Sequence, residues 1–207
     1  MIELFFSAVV TFFVVIDPPG CAPIFAGLTA GTDAAHRRAM AVRSTIVAAC
    51  ILVVFALLGE PLLRTLGISL DAFRIAGGIM LFLIALEMVF EKRTQRREER
   101  ASEVAAHPEQ YDDISIFPMA MPMIAGPGSI ASAMLIMQKS HGIIDHIVVL
   151  AALATVLALM FVSLLAAGPL MRFLGYKVEA VITRLLGVLL AALASQFVID
   201  GLRASFS

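Results

Sequence analysis

The sequence contains no tryptophan, no asparagine and only two cysteines. Without asparagine there is no N-x-S/T acceptor for glycosylation. Without tryptophan, any aromatic belt at a membrane interface rests on Tyr111 and Tyr176, supported by phenylalanine. Cys21 and Cys50 lie in apolar stretches without metal-ligand spacing, so neither a zinc site nor a disulfide framework is indicated. No lysine or arginine precedes Arg37, so Met1–Ile16 lacks the basic start of a signal peptide and reads as a retained first span. Charge is scarce as well: 15% of the 207 residues are charged and 60% are hydrophobic, with a mean hydropathy of +0.97. A typical soluble domain has about 25% charged residues, and one of this size could not hide so much apolar surface. This excludes a soluble enzyme and a disordered chain. The near balance of 15 Lys+Arg with 16 Asp+Glu gives no basic patch and excludes a nucleic-acid binder. A G-x-S-x-G elbow, an H-E-x-x-H pair and a P-loop are all missing, so neither intramembrane proteolysis nor ATP-driven pumping by this chain is indicated. No catalytic residue, cofactor or metal is implied. The composition that remains is that of a polytopic membrane protein of one domain, with the lipid bilayer as its partner.

Two runs free of Asp, Glu, Lys and Arg, Ile114–Gln138 and His146–Met171, exceed the roughly 18 residues that mark a helical span. Four further spans are interrupted or short: Ile2–Ala30 contains Asp17, Ser44–Gly59 extends back past Arg43, Leu70–Phe90 contains Arg74 and Glu87, and Val178–Ile199 contains Arg184. The expected fold is therefore an all-α membrane protein of six transmembrane helices. Arg37, Arg38, Arg43, Lys92, Arg93, Arg96, Arg97, Arg100, Arg172 and Lys177 fall on one side and only Arg64, Lys139 and Arg203 on the other. The positive-inside rule places the richer side in the cytoplasm and both termini outside it. Residues 91–115 form the one long polar connector, expected to be a solvated cytoplasmic loop between residues 1–90 and residues 116–207.

These two flanking parts resemble each other. Pro61-Leu62-Leu63-Arg64-Thr65-Leu66-Gly67 recurs as Pro169-Leu170-Met171-Arg172-Phe173-Leu174-Gly175, and the same offset of 108 puts Pro19-Gly20 on Pro127-Gly128. One inserted residue later, Glu87 falls on Gln196. Three spans per half invert the second relative to the first, giving an inverted-topology repeat, a plan common among secondary transporters and also met in channels. Equivalent places in spans 1 and 4 read Asp17-Pro18-Pro19-Gly20 and Gly126-Pro127-Gly128-Ser129. Proline removes a donor and obstructs the preceding turn, so both helices should break there. Such breaks in hydrocarbon must face protein or a wet cavity, and matched breaks are the best sequence pointer to a transporter binding site.

Asp17 is costly inside a span, by roughly 2.5–3.5 kcal/mol on insertion scales. Standing directly before Pro18, it has the pattern of an N-cap with proline at the first helical position. Two readings stay open: a pure cap, or a cap that also contacts substrate or a cation. Ala125 stands where Asp17 stands in the first half, so the second half-helix keeps free N–H groups and a positive dipole end suited to a carboxylate. The expectation is a small zwitterionic amino acid with its ammonium at Asp17 and its carboxylate on the Gly126–Ser129 turn. Active transport would then need a proton or sodium gradient. Asp17, Glu87 and Gln196 are candidates for coupling or gating, although Glu87 could simply snorkel and Gln196, placed deeper, could simply bond between helices.

The same residues resemble a known family. Asp17-Pro18-Pro19-Gly20 with Pro23-Ile24-Phe25, and Pro122-Met123-Ile124-Ala125-Gly126-Pro127-Gly128-Ser129-Ile130, are similar to the paired signatures of the MarC family of six-span membrane proteins. Arg74-Ile75-Ala76-Gly77-Gly78-Ile79 and Gln196-Phe197-Val198-Ile199-Asp200-Gly201 are similar to further blocks, so the resemblance covers nearly the whole chain. It implies a bacterial or archaeal inner-membrane protein that moves small neutral amino acids such as glycine, alanine or threonine, with export proposed for some relatives. The alternatives are a small-solute channel and a membrane scaffold or stress protein without transport. Gly77-Gly78 allows close helix contact, within the chain or in a homo-oligomer.

Overall fold

The computed structural model describes residues 1–106, 114–140 and 142–206, with backbone alone at residues 105 and 170–177. Tyr111 and the side chain of Tyr176 lie outside these described residues. Eight α-helices follow in order: α1 Ile2–Ile16, α2 Pro18–Leu28, α3 Ala34–Thr65, α4 Leu70–Val89, α5 Lys92–Ala106, α6 Pro127–Gln138, α7 Ile143–Leu165 and α8 Ala167–Phe206. A wide-turned segment, Ser115–Ile124, precedes α6 and carries extended backbone at Phe117 and Met121. Regular structure among the described residues is thus helical throughout. Caps follow local chemistry: Asp33 accepts the His36 N–H at the start of α3, and Ser69 accepts the Ala72 N–H at the start of α4.

Among the described residues five segments are long and apolar enough to cross a bilayer: Ile2–Leu28, Ala34–Thr65, Leu70–Val89, Ile143–Leu165 and Val178–Phe206. Ser115–Ile124 and Pro127–Gln138, bent by 51° to each other, make a sixth when counted as one broken span. The helices turn a polar or small side inward and an apolar side outward. In α3, Ser44, Ala48, Leu52 and Gly59 are buried, whereas Ile46, Val54, Leu57 and Leu58 face out. In water that arrangement would be unstable; in lipid the outward leucines cost nothing, and small inward residues allow close packing. α4 and α8 form the tightest pair. A Cβ on Gly78 would meet the Ala194 carbonyl and Val198 of α8, and one on Gly77 would meet Leu135 of α6. Both glycines therefore serve contacts within the chain.

The boundaries depart from expectation at two connectors. The connector after Glu91 is not an unstructured loop, because Lys92–Ala106 form helix α5, packed on α2, α4 and the Ser115–Ile124 segment. Where a loop with Arg172 and Lys177 was expected, the α8 backbone is helical from Ala167 onward.

Candidate functional site

The first interruption follows from proline and a short acid. Pro19 has no N–H for the carbonyl of Val15, four residues before it. Asp17 ends α1 in the left-handed region (φ 60°, ψ 65°), which aspartate tolerates better than most residues. It then caps α2, its Oδ1 accepting the Gly20 N–H at 3.2 Å. Gly20 is required at this position, because a Cβ there would collide with the Asp17 carboxylate. By taking the Gly20 N–H, the cap also leaves the Ile16 carbonyl without its helical donor. The Cys21 thiol reaches that carbonyl at 3.8 Å, and the Arg93 guanidinium donates to the Val15 carbonyl at 2.7 Å.

The second interruption repeats the problem at the equivalent place. Pro127 has no N–H for Met123 O, and Arg97 donates to that oxygen at 3.3 Å. Val15 and Met123 are 108 positions apart, as are Pro19 and Pro127. Two orphaned carbonyls in matching positions are therefore met by two arginines one turn apart on α5. Gly126 is required here because a Cβ would strike the Pro122 carbonyl oxygen. Among the described residues no side chain caps α6, so its first N–H groups, around Gly128 and Ser129, stay available.

Arg97 joins the two breaks. Its second amino group lies 2.9 Å from Asp17 Oδ2, and both side chains are buried, at 8% and 1% exposure. Such a pair offsets its desolvation only with good geometry and further bonds; here Gly20 and Met123 supply them. Burial, with repulsion from Arg97 added, lowers the Arg93 guanidinium to about 10, so it stays charged at neutral pH.

Beside this pair lies a cavity of about 360 Å³, lined by Glu87, Arg93, Arg96, Arg97, Arg100 and the Gly126–Ser129 turn, with Met80, Leu83, Ile84, Pro122 and Met123. Glu87 is ion-paired with Arg96. The cavity has the chemistry of an anion site: guanidinium forks, a positive helix end and a serine hydroxyl. A second cavity of about 460 Å³, containing Glu60, Arg64, Gln138 and His146, opens at the other end of α6. Among the described residues no group of three or more His, Cys, Asp or Glu side chains could hold a metal ion.

The sequence-predicted site residues divide accordingly. Gly126, Pro127, Gly128, Ser129 and Glu87 line one cavity. Asp17, with Pro18, Pro19 and Gly20, forms the capped break behind Arg97 and is absent from the lining. Gln196 is elsewhere: it is exposed and donates to Asp200 in its own helix, whose other oxygen takes Lys139 at 2.7 Å. It bonds within its own helix rather than between helices, and the packing that sets Gly78 against Ala194 and Val198 puts it level with the middle of α4, apart from Glu87. The residues that sequence reasoning missed are the α5 arginines. Their signal was present: Arg93, Arg96, Arg97 and Arg100 fall at i, i+3, i+4 and i+7, one face of a helix.

No solved structure matches this chain. Among curated proteins, it is 35% identical over 204 residues to the UPF0056 membrane protein MJ1677 of Methanocaldococcus jannaschii, covering 99% of this chain and 98% of that one. It is 34% identical over 197 residues to the UPF0056 inner membrane protein YhgN of Escherichia coli K12, covering 95% of each. It is also 34% identical to the UPF0056 membrane protein YvbG of Bacillus subtilis over 197 residues, covering 95% of this chain and 93% of that one. The family model described as MarC family integral membrane protein matches residues 2–206. With the paired breaks and the membrane-spanning helices already in place, that match over nearly the full length means that the chain belongs to the MarC family of integral membrane proteins.

Proposed function

We propose that the protein is a secondary transporter of small neutral amino acids of the glycine, alanine or threonine kind, working by alternating access between two inverted three-span repeats. The observation that carries this reading is the uncapped start of α6, which opens on the arginine-lined cavity and offers a carboxylate both N–H groups and cationic partners. The packing supports a repeat. α1 packs on α7, and its counterpart Ser115–Ile124 packs on α3; α2 packs on α7 and α8, and its counterpart α6 packs on α3 and α4. A cavity at each end of α6 supports a route along that helix, closed between them by the buried Ala131, Ala133 and Leu135.

In this reading α5 closes the cytoplasmic side and both termini lie outside. Arg97 holds Asp17 as a tethered cation. An incoming ammonium takes the place of Arg97 at Asp17 while the carboxylate settles on the Gly126–Ser129 turn, and α5 is released. The exchange conserves charge around a buried acid, which avoids leaving Asp17 ionised and unpaired. Glu87 and Asp17 are the acids available for proton or sodium coupling.

The test is counterflow in proteoliposomes preloaded with unlabelled glycine, alanine or threonine. The expected result is transient accumulation of label, abolished in Asp17→Asn protein that still elutes as a folded species. Flux without counterflow would favour a channel. No exchange across a broad amino-acid panel would remove the transport reading.

A further inference from the structure

The cavity at the start of α6 holds more positive charge than a zwitterion can balance. Of its four guanidinium groups, Arg96 is paired with Glu87 and Arg97 with Asp17. Arg93 donates to the Val15 carbonyl and to Met88 Sδ and forms no salt bridge among the described residues. Arg100, exposed at the cavity edge, has no ion-pair partner among them either. The other buried acid in the neighbourhood, Glu179, accepts from the Thr183 hydroxyl and does not line the cavity. Ser129 is a second and independent pointer. It is 2% exposed, it lines this cavity, and its hydroxyl has no hydrogen-bond partner among the described residues. The hydroxyl itself is not sealed in protein but open to the cavity, where a ligand oxygen can meet it.

Planar guanidinium forks, uncapped helix N–H groups and a hydroxyl donor together form a recognition set for an oxyanion with several acceptor oxygens. A zwitterion adds no net charge and a single carboxylate neutralises one arginine. Two arginines without carboxylates call for two negative charges. We propose that this cavity binds a doubly charged tetrahedral oxyanion of the phosphate class, seated on Ser129 and the α6 N-terminus and paired with Arg93 and Arg100. The proposal rests on the transport reading in one respect: the anion shares the Gly128–Ser129 donors with the amino-acid carboxylate and so competes with it. The phosphate group comes either from solution or from an anionic lipid headgroup at the membrane surface, where basic side chains concentrate such lipids.

The experiment is calorimetric titration of the full chain in neutral detergent with sodium phosphate at constant ionic strength, against sodium chloride. A parallel arm compares nanodiscs of phosphatidylcholine with and without phosphatidate. Saturable binding of phosphate, or phosphatidate-dependent thermal stabilisation, is expected. Arg100→Gln and Ser129→Ala should each weaken it about tenfold without lowering the melting temperature of the unliganded protein, since neither side chain has a native bond to lose. Lys139→Gln, at the other end of α6, should leave it unchanged. Phosphate binding assigns the free ion as source, and stabilisation by phosphatidate alone assigns the lipid. Binding in neither arm, or binding indifferent to both Arg100→Gln and Ser129→Ala, overturns the proposal. If phosphate fails while alanine counterflow persists, only this inference falls. If phosphate binds and no amino acid exchanges, the transport reading falls and the anion site stands.

Discussion

In the first half the chain breaks at Asp17 and caps the following half-helix with its own carboxylate; in the second it breaks at Ala125-Gly126 and leaves the half-helix uncapped. The backbone problem is the same in both, since Pro19 and Pro127 orphan the carbonyls of Val15 and Met123. The solutions differ because one position carries an acid and its counterpart a methyl group. The acid draws Arg97 out of the cavity's charge balance and seals the first break. The second break stays open to the cavity, which Ser129 and the helix end line together with Arg93, Arg96, Arg97 and Arg100. One break is closed by its own carboxylate and the other is not, and α5 donates to the exposed carbonyls of both.

That contrast can be broken from either side. The largest effect is expected from Asp17→Ala, which strands Arg97 as a buried unpaired charge. Breaking a buried pair costs about 3–5 kcal/mol, so the thermal midpoint in detergent should fall sharply. The double variant Asp17→Ala/Arg97→Leu should recover much of the loss. Equal instability of single and double variants would show that the pair does not hold the breaks together.

Next in size is Gly126→Ala against Gly128→Ala. The first drives a methyl into the Pro122 carbonyl, which cannot move without the backbone; the second meets mainly the Cδ1 end of the Ile84 side chain, which can rotate. Overpacking typically costs about 1–3 kcal/mol, with Gly126→Ala expected at the top of that range and Gly128→Ala near the bottom. Urea or thermal unfolding of both variants measures the order.

Ala125→Asp brings an acid to the second break as well. An acid there stands one residue before the Gly126 cap, in a buried position beside the open α6 N–H groups; it is expected to compete with a substrate carboxylate for them, with amino-acid counterflow lost and the thermal midpoint lowered by burial of the charge. Retained counterflow would show that the uncapped helix end is not the carboxylate seat. The smallest effect belongs to Gln196→Ala. Its exposed bond to Asp200 should be worth no more than about 1 kcal/mol, and counterflow should be unchanged; a large loss would return Gln196 to the pathway.

Much of this was legible in the sequence because the physics involved is local. The length of apolar runs against the thickness of a bilayer yields the spans, and Asp17-Pro18-Pro19-Gly20 contains its own cap, its missing donors and the glycine that makes room for the carboxylate. The offset of 108 locates the second break. The partner of Gln196 was not legible, because Asp200, four residues on in the same helix, is as much within reach as a residue of a neighbouring helix. Arg93 and Arg97 were read as solvated because a polar run is usually so, and their one-face spacing does not say what that face meets.

The sequence by itself determined the membrane class, the spans and both interruptions, since each depends on residues within a few positions of one another. Only the tertiary structure decided that a polar connector folds back as a helix and places arginines from residues 93–100 against carbonyls at Val15 and Met123 and a carboxylate at Asp17. The need of a buried orphan carbonyl for a donor can be deduced from proline alone; which distant donor arrives is settled by packing, because many side chains could meet that need and α5 is the helix that brings donors to both carbonyls.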